Sequence, residues 1–124
     1  MGVELILASE KRRLVEIEKE KRAIEKEEQK EKLIRDWAES ILYSLKVGIE
    51  NKNNVYDFTY YLRYDDYFNV FSSSQRETIN NILNECLLIV KDVLEIGGYS
   101  VDIYEYPRYY QFRDNRFGYI AVSW

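Results

Sequence analysis

The chain has no histidine, one cysteine (Cys86), one proline and five glycines in its 124 residues. Without histidine there is no Ser-His or Cys-His catalytic pair, no HNH-type nuclease and no Cys/His zinc site, and a lone cysteine rules out a disulfide framework. Scarce proline and glycine leave little room for linkers, so order is expected through most of the length. No apolar run approaches the roughly eighteen residues of a membrane span. The stretch from Val3 to Ala8 is too short for a signal-peptide core and has no basic flank before it. A cytoplasmic, soluble protein is expected. No catalytic, cofactor-binding or metal-binding motif rises above chance.

What is present is globular in composition, 46% hydrophobic and 32% charged. The length fits one domain, residues 1–124, comprising a charged projecting part (1–32) and an α+β body (33–124). Formal net charge is −4. Residues 1–50 hold 11 Lys and Arg against 12 Asp and Glu, and residues 51–124 hold 7 against 10. A balanced rod and a mildly acidic body match phosphate backbones poorly, so direct nucleic-acid binding is disfavoured.

The longest patterned stretch, Ser9 to Val47, reads as one helix. Between Glu18 and Lys32 only Ala23 and Ile24 are apolar, and pairs such as Glu18–Arg22, Glu28–Lys32 and Glu31–Arg35 have the i,i+4 spacing that supports a solvated helix. Leu7, Leu14, Ile17 and Ile24 fall at heptad spacing, but the other core positions are Glu10, Lys21, Glu28 and Glu31, short of a sustained coiled coil. From Ile34, the set Ile34, Trp37, Ala38, Ile41, Leu42 and Leu45 forms a face wide enough to pack on a sheet. Gly48 to Asn54 supplies turn chemistry and should release the chain from the helix.

Val55 to Tyr64 alternates Phe58, Tyr60, Leu62 and Tyr64 against Asp57, Thr59, Tyr61 and Arg63, a strand pattern. A rival reading is a short helix through Tyr56, Tyr60, Tyr64 and Phe68. Ser74 and Glu77 have capping-box spacing, and the stripe Ile79, Ile82, Leu83, Cys86, Leu87, Val90, Val93 and Leu94 then runs to a stop at Gly97-Gly98. Tyr99 to Tyr106 alternates as a strand that Pro107 ends. Tyr109–Arg113 and Phe117–Trp124 flank Asp114-Asn115, which predicts a tight hairpin with Ile120, Val122 and Trp124 facing the core. The order α, β, α, β, β predicts an α+β fold: a long N-terminal helix, then a small antiparallel sheet with helices packed on one face.

Tyrosine is the unusual count. There are twelve, all but Tyr43 within residues 56–67 and 99–119. Such residues suit strands, and they also give large, rigid contact area with a polar tip. On an outer sheet face Asp57, Tyr61, Asp102, Tyr104, Glu105 and Tyr106, joined by Tyr109 or Tyr110, would form an acidic aromatic patch. Asp57, Asp65 and Asp66 near Asp102 and Glu105 offer oxygens for Mg²⁺, but Asp65-Asp66 read more simply as turn residues. Arg108, Arg113 and Arg116, set among aromatics, suit an edge hairpin kept soluble.

The expected function is a non-enzymatic protein-binding module that grips a larger partner with the outer sheet face and with the projecting helix, through Leu7, Leu14, Ile17 and Ile24. An acidic, tyrosine-rich body of this kind could occupy the basic groove of a nucleic-acid-processing enzyme. In composition the chain resembles phage-encoded inhibitors of host defence, anti-CRISPR proteins among them, and that resemblance implies inhibition. Two alternatives stand beside it. One is a scaffold protein forming a homodimer through Leu7, Leu14, Ile17 and Ile24. The other is a small-ligand sensor with a pocket between the sheet and the Ser74–Ile96 helix.

Overall fold

The computed structural model describes residues 5–51 and 55–124, so Val3 and the end of the expected turn at 52–54 lie outside the described residues. The elements are α1 (Ala8–Glu50), β1 (Asp57–Arg63), 3-10 turns at Tyr64–Tyr67 and Ser73–Gln75, α2 (Arg76–Ile96), β2 (Ser100–Glu105), α3 (Arg108–Asp114) and β3 (Arg116–Ser123). The fold is α+β, with a three-stranded antiparallel sheet packed against helices. The described residues divide into two units, one ending at Lys32 and the other running Leu33–Trp124.

In the first unit the helix is charged and its apolar side chains lie open. Leu14, Ile17 and Ile24 are exposed. Glu18 and Arg22 meet at 3.9 Å, a weak solvent-screened pair that favours helix locally. No helix among the described residues is long and apolar enough to cross a membrane.

The second unit holds the core. From α1 it takes Trp37, Ala38, Ile41 and Leu45, all buried, with Ile34 and Leu42 partly so. The wide apolar face of this half of the helix is thus satisfied by packing. Trp37 lies 4.3 Å from the Tyr67 ring and meets Phe71 edge-on at 6.0 Å. Helix α1 does not end at Val47 as expected but runs on to Glu50. Gly48 is helical, and its missing side chain is where the Phe58 ring sits, with Phe58 Cε2 2.7 Å from the position a Cβ would take. A residue that looks like a helix breaker in sequence is here a seat for an aromatic ring of β1.

β1 is a strand, not the rival aromatic helix, because its alternation matches the two faces of the sheet: Leu62 is buried and Phe58 and Tyr60 partly buried, while Asp57, Thr59 and Tyr61 face out. α2 begins differently from its expected cap. The reciprocal arrangement involves Ser72 and Gln75, with the Ser72 N–H donating to Gln75 Oε1 at 2.9 Å, ahead of a 3-10 turn that leads into the helix. Ser74 instead bonds Ser72 through its hydroxyl at 2.8 Å, and Glu77 pairs with Arg108 at 3.4 Å. The C-terminus follows expectation. Gly98 takes φ 91°, its N–H bonds Glu95 O at 3.0 Å and the Tyr99 N–H bonds Leu94 O at 3.1 Å, the two-bond Schellman stop.

The largest departure is at Arg108–Asp114, where a strand of a tight hairpin was expected and a helix stands. Pro107 does end β2, but it also opens α3: its φ of −55° suits a helix entry, and its carbonyl accepts from the Tyr110 and Gln111 N–H groups, both at 3.0 Å. Asn115, at φ 53°, then closes the helix in the left-handed conformation. β3 follows and becomes the middle strand, giving the order β1-β3-β2. Opposite β1 the register slips between Leu62 and Arg63, so Phe117 is an extra residue on β3, and Phe117 and Gly118 are buried in succession. Ile120 and Val122 are in the core. Trp124 does not join them as expected: it lies past the end of β3, is 41% exposed and meets Tyr99 edge-on at 6.4 Å.

Cys86 is fully buried, and its thiol donates to Ile34 O at 3.2 Å. Burial pushes the Cys86 thiol up from 9.0 to about 12, with Glu85 adding to the effect. Burial likewise pushes Tyr64 up from 10.0 to about 12. In both cases the unfolded chain releases its proton first, so stability is intact below about pH 9 and is lost as pH rises through 12. Urea midpoints measured at pH 8, 10 and 11 should fall in that order. At pH 8 an aromatic disulfide reagent should label Cys86 only as the chain unfolds; labelling at the rate of a free thiol in native buffer would contradict this packing.

Candidate partner-binding face

The outer side of the sheet is built by three strands in rungs. Tyr61 pairs with Tyr119 and Tyr119 with Tyr104, so three tyrosines stand across one rung. Thr59, Ala121 and Asp102 form the next rung, and Asp57, Ser123 and Ser100 the one beyond. Period-two alternation fixes this: the core takes Tyr60, Ile120 and Ile103 on the opposite side, so their neighbours must face out.

The tyrosine rung continues past the sheet. Tyr104 stacks on Tyr119 at 5.3 Å with planes 27° apart, and Tyr61 meets Tyr119 at 6.0 Å. Tyr106 lies 5.5 Å from Tyr104 and 6.2 Å from Tyr119, and Tyr110 of α3 lies 5.0 Å from Tyr106. Five rings therefore form one surface, open to solvent at Tyr61 and Tyr104, which are 54% and 47% exposed. Burial among its neighbours, then the Tyr110 and Tyr61 hydroxyls, push the Tyr106 phenol above its ordinary value, with Arg116 pulling it down.

The expected patch is thus assembled in large part, with changes. Tyr61, Tyr104 and Tyr106 converge, and Tyr110 rather than Tyr109 joins them. Asp57 and Asp102 are on the same face but in the rungs away from the rings. Glu105 is not part of the face. Alternation turns it to the other side, where Arg108 meets it at 3.5 Å and the Gln111 side-chain amide at 3.4 Å. Tyr119, the hub, was not singled out in sequence. Alternation with Ile120 and Val122 implied that it faces out, but only the strand order places it between Tyr61 and Tyr104.

The tyrosine end is edged by cations. Arg63 and Arg116 are Cα partners on the next rung, and Arg113 lies 5.2 Å over the Tyr110 ring while pairing with Asp114 at 3.2 Å. The face is therefore acidic at one end and basic at the other, where the sequence suggests an acidic aromatic patch. Arg108 is elsewhere, between Glu77 and Glu105.

Beneath α3 lies a closed polar network. Tyr64, Asn80 and Gln111 are fully buried. The Tyr64 hydroxyl donates to Asn80 Oδ1, Asn80 Nδ2 to Gln111 Oε1 at 3.4 Å, and Gln111 Nε2 to Phe117 O at 3.0 Å. Arg108 also donates to Gln111 Oε1 at 3.1 Å. Alongside, Arg76 is held between the Phe68 and Phe112 rings, 5.7 Å from each, with its guanidinium donating to Ser73 O and Asn115 Oδ1. Arg76 Nε is buried without a hydrogen-bond partner, but the other groups satisfy one another and fix α3, and with it Tyr110, against the sheet.

Asp65 and Asp66 are in the 3-10 turn after β1, and among the described residues no group of three or more Cys, Asp or Glu side chains is placed to hold a metal ion. Where a ligand pocket was considered there is an open hollow of about 440 Å³ between α2 and β2, lined by Leu87, Leu88, Lys91, Val101, Asp102 and Ile103 among others. Comparison of the chain with protein-family models, with curated proteins and with solved structures yields no match.

Proposed function

We propose that the protein is a non-enzymatic protein-binding module whose contact surface is the outer face of the sheet. The observation that supports this most is the continuous surface of Tyr61, Tyr104, Tyr106, Tyr110 and Tyr119. Tyrosines serve well as strand residues, but Tyr106 and Tyr110 lie beyond the strands and still extend the same surface. The ring contacts, stacked at Tyr104–Tyr119 and tilted or edge-on elsewhere, hold the rings in place before any partner arrives, which lowers the ordering cost of binding. The charged ends add orientation: Asp57 and Asp102 would meet basic ground on the partner, and Arg63, Arg113 and Arg116 acidic ground.

Affinity capture from cells that make the protein, followed by binding measurements with the purified partner, tests the reading. Tyr104→Ala and Tyr119→Ala are each expected to weaken binding by about 2 kcal/mol or more, roughly thirtyfold. Tyr43→Ala, which removes an exposed tyrosine of α1 away from the face, should leave it unchanged. Full retention by the Tyr104/Tyr119 double variant would rule the face out. The sharper form of the proposal is inhibition of a nucleic-acid-processing enzyme, with Asp57 and Asp102 standing where phosphates would. In that case duplex competitor displaces the protein, and Asp57→Asn with Asp102→Asn weakens it.

A further inference from the structure

The charged first unit of α1 carries a second surface that the sheet face does not explain. Leu14, Ile17 and Ile24 are helical and exposed, and Leu7, whose carbonyl takes the first helical bond from the Lys11 N–H at 2.9 Å, is exposed beside them. In heptad terms Leu7, Leu14 and Lys21 occupy one core position, and Glu10, Ile17 and Ile24 the other. Two copies running parallel in register would set Glu10 against Glu10 and Lys21 against Lys21. Those like charges, buried in the seam, oppose that arrangement.

Running antiparallel removes both conflicts. With Leu14 opposite Ile17 of the second copy, Leu7 falls opposite Ile24 and Glu10 opposite Lys21, and the two-fold axis repeats each pair. The flanking positions then also match: Lys11 comes beside Glu18, and Arg13 beside Glu20. One register thus satisfies the apolar residues and the charges that break the heptads. We infer that the occupant of this helix face is a second copy of the chain, in an antiparallel two-helix pairing centred between Leu14 and Ile17.

The seam from Leu7 to Ile24 is about 25 Å long at 1.5 Å per residue, less than the three or four heptads of a tight coiled coil. The dimer is therefore concentration-dependent, forming between about 1 and 100 µM. Analytical ultracentrifugation of the full chain over that range tests it, with circular dichroism confirming that each variant is folded. Glu10→Lys alone and Lys21→Glu alone are each expected to weaken the dimer about tenfold, since each sets two like-charge contacts in the seam. The double exchange Glu10→Lys/Lys21→Glu restores the contacts and should return the affinity to within about threefold of the parent. Leu14→Asp with Ile17→Lys, which leaves net charge unchanged but polarises the centre, serves as a graded control: it should weaken the dimer less than Leu14→Asp with Ile17→Asp. A chain that stays monomeric at about 500 µM overturns the inference. So does a dimer indifferent to both single exchanges, which is the behaviour of a parallel pair or of an interface elsewhere. A double exchange that fails to restore affinity overturns the register.

Discussion

Alanine at Gly118 is expected to remove most or all of the folded population. Gly118 is in the middle strand, opposite Leu62 on one side and Glu105 on the other. A Cβ there would overlap the Tyr104 carbonyl oxygen and lie 2.9 Å from the Tyr104 carbonyl carbon and 3.0 Å from Glu105 Cα. All three are backbone atoms of β2, so no rotamer change relieves the clash; β2 must move away from β3. That displacement would separate Val101 and Ile103 from the core and part Tyr104 from Tyr119. Overpacking normally costs about 1–3 kcal/mol, and here the obstacle is backbone, so about 4 kcal/mol or more is expected against a total of about 5–15 kcal/mol for a domain. Urea unfolding followed through buried Trp37 provides the measurement. Gly97→Ala is the control, because its nearest atom would be 3.4 Å away and its φ of −76° suits any residue; it should change stability by no more than about 0.5 kcal/mol. A Gly118→Ala protein within about 1 kcal/mol of the parent would refute the close approach of β2.

The second large effect belongs to the buried Tyr64–Asn80 pair. Asn80→Leu leaves the Tyr64 hydroxyl without its acceptor and Gln111 without one donor, at a site closed to water. The cost should be about 3 kcal/mol, and that of Tyr64→Phe about 1–2 kcal/mol, through the stranded Asn80 oxygen. Removing both partners removes the stranded groups as well. The double variant should therefore be more stable than the sum of the single losses predicts, by at least about 1 kcal/mol. Strict additivity would mean that the two groups do not depend on each other. Because Gln111 ties this network to α3, these variants should also loosen Tyr110, seen as weaker quenching or a shifted tyrosine signal in the folded state.

Legibility in the sequence varied with how local the physics was. The α2 stripe, its Gly97-Gly98 stop, and the alternation of β1 and β2 were readable because each depends on neighbours within a few residues. Residues 109–113 misled because Tyr110 and Phe112 alternate with polar residues as a strand would. Only seven residues long, α3 spans two turns, too few for a helical period to declare itself. Its one fully buried side chain is Gln111, which no hydropathy pattern marks as interior. Gly48 misled for another reason: what fills its space is Phe58, ten residues on, and a contact of that kind leaves no trace in local sequence. Five of the face residues, Asp57, Tyr61, Asp102, Tyr104 and Tyr106, followed from alternation. The centrality of Tyr119 and the nearness of Arg63 to Arg116 followed only from the strand order, which pairs residues some sixty positions apart in the chain.

That strand order also governs how the molecule can be made. β1 and β2 do not touch each other; each pairs only with β3, which comes after both. While a ribosome is still adding residues up to Asn115, every strand already synthesised lacks its hydrogen-bonding partner, whereas α1 and α2 can form as they emerge. The sheet then closes in one event, bridging the long loop from β1 and the short one through α3 together. Until that moment the half-formed chain exposes unpaired strand edges and several aromatic rings, the kind of surface that chaperones bind.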